Sequence, residues 1–222
     1  MDSSAAVEIE IARTMWESKC QVNESEFPGV RSIAKLLATI EDTKDNWLVY
    51  EVGSSPLSKH LFDVKGEFHK GERIYGVQHK SFYASLLHNK QALRDLIRFM
   101  AEVLDVLSYY SVVHADIKPD NILVDFDGHR IKNLKLIDFG SAFSYENPGN
   151  ITASTPEYLA PEVLNYLENR GANTNHGNGT NSAKLCQMQE PWSYDVWSLG
   201  VILLELLTGI PIWMSLKCRT VT

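Results

Sequence analysis

The sequence predicts an α+β fold, which combines helices with strands paired in hairpins. Two helical patterns support this: residues 90–110 repeat apolar side chains with the period of a core-facing helix, and residues 195–207 form an apolar run that fits a buried helix. The third observation is that short apolar runs broken by polar turns occur before and between these helices, as in β-hairpins.

The N-terminal part of the chain predicts one helix and one hairpin. Residues 5–17 place Ile9, Ile11, Ala12 and other apolar side chains on a broad helical face. Residues 33–40 and 47–52 then predict two strands joined by a polar turn.

The middle of the chain is less regular at first. Residues 57–89 are mixed and charged, and we expect a short helix with an irregular insertion there. The helix predicted at 90–110 follows, and its core-facing stripe comprises Leu93, Leu96, Ile97, Met100, Val103, Leu104 and Leu107.

The later part predicts a second hairpin, from apolar runs at 121–124 and 134–137 split by Asp127-Gly128. Residues 169–182 are rich in Asn, Gly and Thr and predict a flexible surface loop.

Composition narrows the class of protein. The chain has 222 residues, of which 44% are hydrophobic, enough for one large domain or two small lobes. A formal net charge of -7 disfavours a nucleic-acid binder. Residues 201–214 are too short to span a bilayer and contain Glu205, and the N-terminus has no apolar signal core. We therefore expect an intracellular protein, in the cytoplasm or nucleus, that is not bound to a membrane.

The strongest chemical signal is an ordered series of motifs. His-Ala-Asp-Ile-Lys-Pro-Asp-Asn at 114–121 is followed by Asp-Phe-Gly at 138–140 and Ala-Pro-Glu at 160–162. Thr-Pro-Glu-Tyr-Leu at 155–159 leads into the last motif, and Asp-Val-Trp-Ser-Leu-Gly follows at 195–200. Each motif alone is common, whereas their joint order and spacing are specific. In these motifs the chain resembles eukaryotic protein kinases of the Ser/Thr type.

The resemblance implies a protein-kinase-like fold with a partial N-lobe of one helix and a few strands at 1–52. A mainly helical C-lobe would occupy 53–222, interrupted by the flexible insertion and truncated after the helix that contains Asp195. Only seven residues precede Glu8, too few for the glycine-rich loop and lysine-bearing strand of kinases. We therefore expect the central fragment of a catalytic domain, without that loop and without the terminal helices.

The resemblance also implies roles for residues in phosphoryl transfer from ATP, a reaction that depends on positioning and charge neutralisation. Asn121 and Asp138 would hold Mg²⁺ as oxygen ligands. Asp116 would orient the substrate hydroxyl and accept its proton, while Lys118 would place positive charge beside the transferring phosphoryl oxygens. Thr155 would contact the side chains of Asp116 and Lys118. A lysine two residues after the aspartate implies Ser/Thr substrates.

For the nucleotide, the resemblance implies that the backbone carbonyl of Glu51 and the backbone N–H of Gly53 face the adenine edge. Leu123 would lie beneath the adenine ring, and Tyr50 would stand at the gatekeeper position behind it.

Three further residues receive roles from the resemblance. Glu8 is the best match to the helix glutamate that pairs with the strand lysine of kinases, and Glu10 is the alternative. Asp195 would hold the backbone of the loop at His114, and Tyr158 would shape the floor of the substrate site.

Two functional hypotheses remain open at this point. The first is a Ser/Thr protein kinase that uses ATP and Mg²⁺ to phosphorylate protein substrates, without nucleic-acid or membrane partners. The alternative is a pseudokinase-like or truncated fragment that acts as a binding module without turnover. Subfamily, substrate, regulator and oligomeric state stay open.

Overall fold

The computed structural model describes residues 3–16, 23–42, 46–145, 155–164, 192–212 and 214. Mixed helices and strands fill these ranges, so the predicted α+β class is confirmed. The loop predicted at 169–182 lies outside the described residues.

The N-terminal elements are helix α1 (Ser3–Trp16), strand β1 (Leu36–Glu41) and strand β2 (Asn46–Tyr50). The helix buries Ile9, Ile11, Ala12 and Met15, as its apolar face predicts. The two strands pair antiparallel, as predicted from the sequence. Ile33 is not part of β1 but forms an isolated parallel bridge to Leu136, so the strand starts later than predicted.

Helix α4 (Gln91–Tyr109) lies at the centre of the core. It buries Leu96, Met100, Val103 and Leu107, whereas Ile97, assigned to the same stripe from sequence, is 39% exposed. A short 3-10 helix (Pro28–Ser32) packs on its backbone. A Cβ atom on Gly29 would lie 2.0 Å from the carbonyl oxygen of Glu102, so only glycine permits this approach.

A three-stranded sheet lies beside α4. It has the order β3 (Ser55–Pro56), β7 (Ile122–Asp127) and β8 (Arg130–Leu136), and the last two form the predicted second hairpin. Gly128 supplies the left-handed backbone of their turn, with φ at 60°. The sheet and α4 together support the loop that carries the candidate catalytic residues.

A further hairpin, in addition to β1–β2 and β7–β8, replaces the irregular insertion expected within 57–89. Between helix α2 (Ser58–Leu61) and helix α3 (Ser81–His88), strands β4 (Phe62–His69) and β5 (Glu72–His79) pair antiparallel over their whole length. The short helix expected in this stretch is present, but the expectation of an irregular insertion was wrong. Most side chains on both faces of the two strands are exposed, so neither strand shows a strong apolar alternation. The overlooked signal is the Lys70-Gly71 turn, whose two positive φ angles are typical of hairpin turns.

The remaining elements described here are one short pair of strands and one helix. Strand β6 (Val112–Val113) pairs antiparallel with β9 (Phe143–Ser144). Helix α5 (Ser193–Thr208), predicted from its apolar run, ends at Gly209 in a left-handed conformation with φ at 74°. Among the described residues, no helix combines the length and apolarity needed to cross a membrane.

An ion pair between α4 and β8 gives a prediction on stability. Arg130 donates from Nε and Nη2 to the two carboxylate oxygens of the buried Asp95, at 3.1 and 2.8 Å. The hydrogen bonds from Arg130 hold the pKa of Asp95 below its usual value despite burial. The stabilisation is therefore present above the unfolded carboxyl pKa of 3.8 and is lost as pH falls through the folded value.

We expect Arg130→Gln to lower the free energy of unfolding at pH 7, because a buried carboxylate loses its charged partner. Urea unfolding of both proteins at several pH values measures this difference. The difference should shrink below about pH 4, because the unfolded chain then binds a proton that the folded wild-type Asp95 binds only at lower pH. A difference that stays constant down to pH 3 would contradict the assignment.

Candidate active site

A buried carboxylate fixes the start of the loop at residues 114–121, which precedes β7. Asp195, in the first turn of α5, is 1% exposed. Its Oδ2 accepts the backbone N–H of His114 at 2.7 Å, and its Oδ1 accepts that of Ala115 at 3.0 Å. Burial raises the pKa of Asp195 against the lowering effect of its partners. The structure thus places this residue where the sequence predicted it.

The imidazole of His114 is buried and serves as a neutral connector. Its Nδ1 accepts the backbone N–H of Asp116 at 3.2 Å, so Nε2 carries the proton and donates to the carbonyl of Ile137 at 3.0 Å. Burial lowers the pKa of this histidine. The ring also contacts Phe139 edge-on, with centroids 4.6 Å apart. One side chain therefore joins the loop at 114–121 to the Asp-Phe-Gly segment.

Three side chains donate to the carboxylate of Asp116, which is 5% exposed. Lys118 Nζ and Asn121 Nδ2 donate to its Oδ2 at 2.7 and 2.9 Å. Thr155 donates to its Oδ1 at 2.8 Å and accepts a hydrogen bond from Lys118 at 2.8 Å. The structure thus brings together four of the residues selected from sequence in one hydrogen-bonded cluster. This arrangement fixes the direction in which the carboxylate faces.

Asp138 lies beside this cluster. The backbone N–H of Ile137 donates to the carbonyl of Asn121 at 3.0 Å, which places the two oxygen-bearing side chains on neighbouring backbone. Asp138 has a positive φ of 66° and is exposed, and its Oδ1 accepts the N–H of Gly140 at 3.3 Å. The charges of Asp116 and Asp138 both raise the pKa of His114, after the larger, opposite effect of its burial.

The side chains of Asn121 and Asp138 suit Mg²⁺ better than a transition metal. The amide nitrogen of Asn121 is engaged with Asp116, so its carbonyl oxygen is left as the donor atom toward a metal. Within the described part of the chain, no group of three or more His, Cys, Asp or Glu side chains could hold a metal ion. One carboxylate and one amide oxygen fit a hard cation that takes its other ligands from phosphate and water.

Glu8 contacts the site, whereas Glu10 does not. The half-buried carboxylate of Glu8 accepts hydrogen bonds from the Tyr50 hydroxyl and from the backbone N–H of Phe139, and Glu10 is exposed. Burial first and the charge of Asp138 second raise the pKa of Glu8. Burial and the charge of Glu8 likewise raise the pKa of Tyr50. Of the two glutamates left open by the sequence, Glu8 is the one that the structure places in contact with the site.

The predicted hinge segment rests on β7. A Cβ atom on Gly53 would lie 2.2 Å from Leu123 Cδ1, so glycine allows the chain to pass directly over this leucine. Glu51 donates its backbone N–H to the carbonyl of Lys35 at 3.0 Å, and its Oε1 accepts Lys135 Nζ at 2.7 Å. Neither Lys35 nor Lys135 was selected from sequence, since an isolated lysine belongs to no motif.

The sequence also gave no role to Glu205. The Tyr158 hydroxyl donates to both of its carboxylate oxygens, each at 3.0 Å, and the backbone N–H of Ile212 donates at 2.6 Å. Ser198 donates to the carbonyl of Tyr158 at 2.8 Å. Burial raises the pKa of both Tyr158 and Glu205. The signal in the sequence that could have indicated a role for Glu205 is that it is a single acidic residue within the apolar run of α5.

Comparison with known proteins places this geometry in a family. The model of the protein kinase domain matches residues 30–221. Protein kinase 2 of Dictyostelium discoideum is 37% identical over 123 residues, which are 54% of this chain and 20% of that protein. The serine/threonine-protein kinase AtPK2/AtPK19 of Arabidopsis thaliana is 33% identical over 141 residues, or 61% of this chain and 25% of that protein.

A human relative matches a similar share of this chain at a similar identity. The serine/threonine-protein kinase MRCK beta of Homo sapiens is 34% identical over 123 residues, or 52% of this chain and 6% of that protein. The chain thus spans a quarter or less of the length of these curated relatives. The family match covers most of the chain and includes the Asp116 cluster, Asp138 and Asp195. The chain belongs to the protein kinase family.

Proposed function

We propose that this protein is a Ser/Thr-specific protein kinase that transfers the γ-phosphoryl group of ATP to hydroxyl groups of protein substrates. The observation that carries the proposal is the Asp116 carboxylate, held by Lys118, Asn121 and Thr155 at 2.7 to 2.9 Å. A carboxylate oriented in this way can accept a proton from an incoming hydroxyl.

In this mechanism Asp116 orients the substrate hydroxyl and removes its proton as the oxygen forms a bond to phosphorus. The bond from that phosphorus to the bridging oxygen breaks, and ADP leaves with the electron pair. Lys118 is within 2.7 Å of Asp116 and supplies positive charge beside the transferring group. A divalent cation held by Asn121 and Asp138 would neutralise phosphate charge.

For nucleotide binding, the proposal assigns the adenine edge to the backbone of Glu51 and Gly53 and the ring face to Leu123. Glu8 acts through the Asp-Phe-Gly segment, because its carboxylate accepts the N–H of Phe139. The proposed specificity for Ser and Thr acceptors is supported by the relatives named as serine/threonine-protein kinases and by Lys118.

The binding part of the proposal predicts a metal-dependent thermal shift. ATP with Mg²⁺ at 100 times its dissociation constant should stabilise the protein by about 2.7 kcal/mol. Asp138→Asn should greatly reduce the shift, because the carboxylate ligand is lost. Asp105→Asn, which makes the same change on the exposed face of α4, serves as the matched control.

The transfer part is tested by incubating the protein with γ-labelled ATP, Mg²⁺ and peptides whose only acceptor is Ser, Thr or Tyr. Label on the Ser and Thr peptides supports the proposal. Label restricted to the Tyr peptide contradicts the specificity. A nucleotide-dependent thermal shift without any transfer favours the alternative of a binding module without turnover.

A further inference from the structure

A cavity of about 810 Å³ opens beside the predicted hinge segment. Its floor is one face of the β7–β8 hairpin, where Leu123 lies opposite Lys135 and Asp125 lies opposite Asn133. The short 3-10 helix before β1 and the middle of α4 form two further walls, and residues 52–54 form the last one. Side chains from several distant parts of the chain therefore converge on one concave surface.

This cavity is distinct from the Asp116 cluster. Gly53 and Leu123, which the proposed function assigns to adenine, lie at its border. The described residues that line it, however, include none of the proposed catalytic or metal-binding side chains. The phosphoryl transfer proposed above therefore gives this cavity no task, and the chemistry of its own wall must indicate what it binds.

The wall carries an excess of positive charge. Four of its side chains are cationic and two are carboxylates, an excess of two positive charges, although the whole chain has a formal net charge of -7. The cations are Arg31, Arg98, Lys132 and Lys135, and the carboxylates are those of Glu102 and Asp125. A local excess of positive charge on an acidic protein favours an anionic ligand.

The two arginines keep most of their hydrogen-bond donors for a ligand. Arg31 binds Glu24 through Nε at 2.7 Å, and Arg98 binds Glu102 through Nη1 at 3.1 Å. Within the described ranges neither guanidinium makes another hydrogen bond, although each has five N–H donors. The Arg98 guanidinium also lies 4.3 Å from the centroid of the Phe99 ring, a contact that limits its orientations. Each arginine can therefore form a two-point contact with an incoming carboxylate.

Lys132 is the third cation that is open to a ligand. It is exposed, and in the part of the chain that the structure describes its amino group has no ion pair or hydrogen bond. Lys135 differs, because its Nζ lies 2.7 Å from Glu51 Oε1 and the two side chains are only 24% and 31% exposed. Recognition of an anion therefore depends on Lys132 and the two arginines.

The cavity also offers apolar surface to a ligand. Val52, in the hinge segment, lines the cavity and is 97% exposed. The partly buried ring of Phe99 lines it as well. A small inorganic polyanion would leave this surface in water, whereas a protein segment can cover it with an apolar side chain. The combination of cations and apolar surface therefore favours a peptide that has both acidic and apolar side chains.

We propose that this cavity binds an acidic segment of a partner protein, in which aspartate or glutamate side chains flank an apolar residue. Arg31, Arg98 and Lys132 pair with the carboxylates, and Val52 contacts the apolar residue. The inference goes beyond the proposed function, because it adds a second binding site whose partner is not the acceptor of the phosphoryl group.

The test uses three fluorescent pools of peptides. The first carries glutamate at two positions around a central leucine, in every combination of flanking positions, and the second carries glutamine at the same positions. The third has the glutamate pattern around a central serine. Fluorescence anisotropy gives the dissociation constants, and unlabelled pyrophosphate is added as a competitor.

The variants are Lys132→Gln, Arg98→Gln and Glu24→Gln. The matched control is Arg94→Gln, because Arg94 is an exposed arginine one turn before Arg98 on α4 and lies outside the cavity. Anisotropy requires neither ATP nor turnover, so the result does not depend on the proposed function.

We expect the glutamate pool with the central leucine to bind most tightly. Lys132→Gln and Arg98→Gln should each weaken its binding by about two- to fivefold, the range of an exposed charge pair. Glu24→Gln should strengthen binding by a similar factor, since it releases Arg31. Arg94→Gln should leave binding unchanged. Opposite signs separate recognition from a structural role, because a loss of structure would weaken binding in every variant.

Equal binding of the glutamate and glutamine pools overturns the inference, as does an equal loss of binding in Arg98→Gln and Arg94→Gln. The absence of measurable binding by any pool overturns it too. Equal binding of the leucine and serine pools, with both displaced by equimolar pyrophosphate, would make the cavity a site for small anions and would also contradict the proposal.

Discussion

Replacing Asp116 by asparagine is expected to reduce the rate of phosphoryl transfer by about 10²- to 10⁴-fold, the contribution typical of a positioned general base. The carboxylate accepts three donors, from Lys118, Asn121 and Thr155. An asparagine keeps the shape but offers one acceptor oxygen, and its amide cannot take up the proton of the hydroxyl.

The measurement is the initial rate at saturating ATP and Mg²⁺, together with the nucleotide-dependent thermal shift. The shift should survive in Asp116→Asn, because the proposed metal ligands remain. Asp105→Asn on the exposed face of α4 controls for the loss of one charge. A rate within tenfold of the wild type would contradict the assignment of Asp116 as the base.

Replacing Asp195 by alanine is expected to give the largest loss of stability among the site residues, about 2 to 6 kcal/mol for two buried donors left without acceptors. Its two carboxylate oxygens accept the backbone N–H groups of His114 and Ala115, and the residue is 1% exposed. Each buried donor left without an acceptor costs about 1–3 kcal/mol.

Urea unfolding measures this effect, and Asp195→Asn provides the graded comparison. Asparagine retains one acceptor oxygen, so the free energy of unfolding of Asp195→Asn should lie between that of the wild type and that of the alanine variant. Activity should fall in both variants, since the loop that carries Asp116 loses its support. Unfolding free energies within about 0.5 kcal/mol of the wild type, the range of ordinary surface substitutions, would contradict the role.

The elements predicted best were those with a strong apolar period. Helices α4 and α5 and the β7–β8 hairpin follow directly from this period, because they pack one face or most of their surface into the core. The β4–β5 hairpin was missed for the opposite reason, since it extends away from the core and gains little from an apolar face. Its turn residues, Lys70 and Gly71, were the available local signal.

The contacts predicted best were those within a short stretch of chain or between neighbouring motifs. Motif order was enough to expect that Thr155 touches Asp116 and Lys118, and the structure has both contacts. By contrast, the sequence left Glu8 and Glu10 as alternatives, because neighbouring helical positions differ only in which side packs against the rest of the chain. Only the tertiary fold brings Glu8 to Tyr50.

The convergence of Asn121 and Asp138 on one nucleotide-bound cation is tested most directly with Mn²⁺, which broadens NMR signals of nearby nuclei. Mn²⁺ is added with a non-hydrolysable ATP analogue to isotope-labelled protein. We expect the side-chain amide of Asn121 and the backbone amide of Asp138 to broaden together at one equivalent, while the side-chain amide of Asn89, between α3 and α4, stays sharp. Broadening of only one of the two, or equal broadening of all three, would contradict a shared metal site.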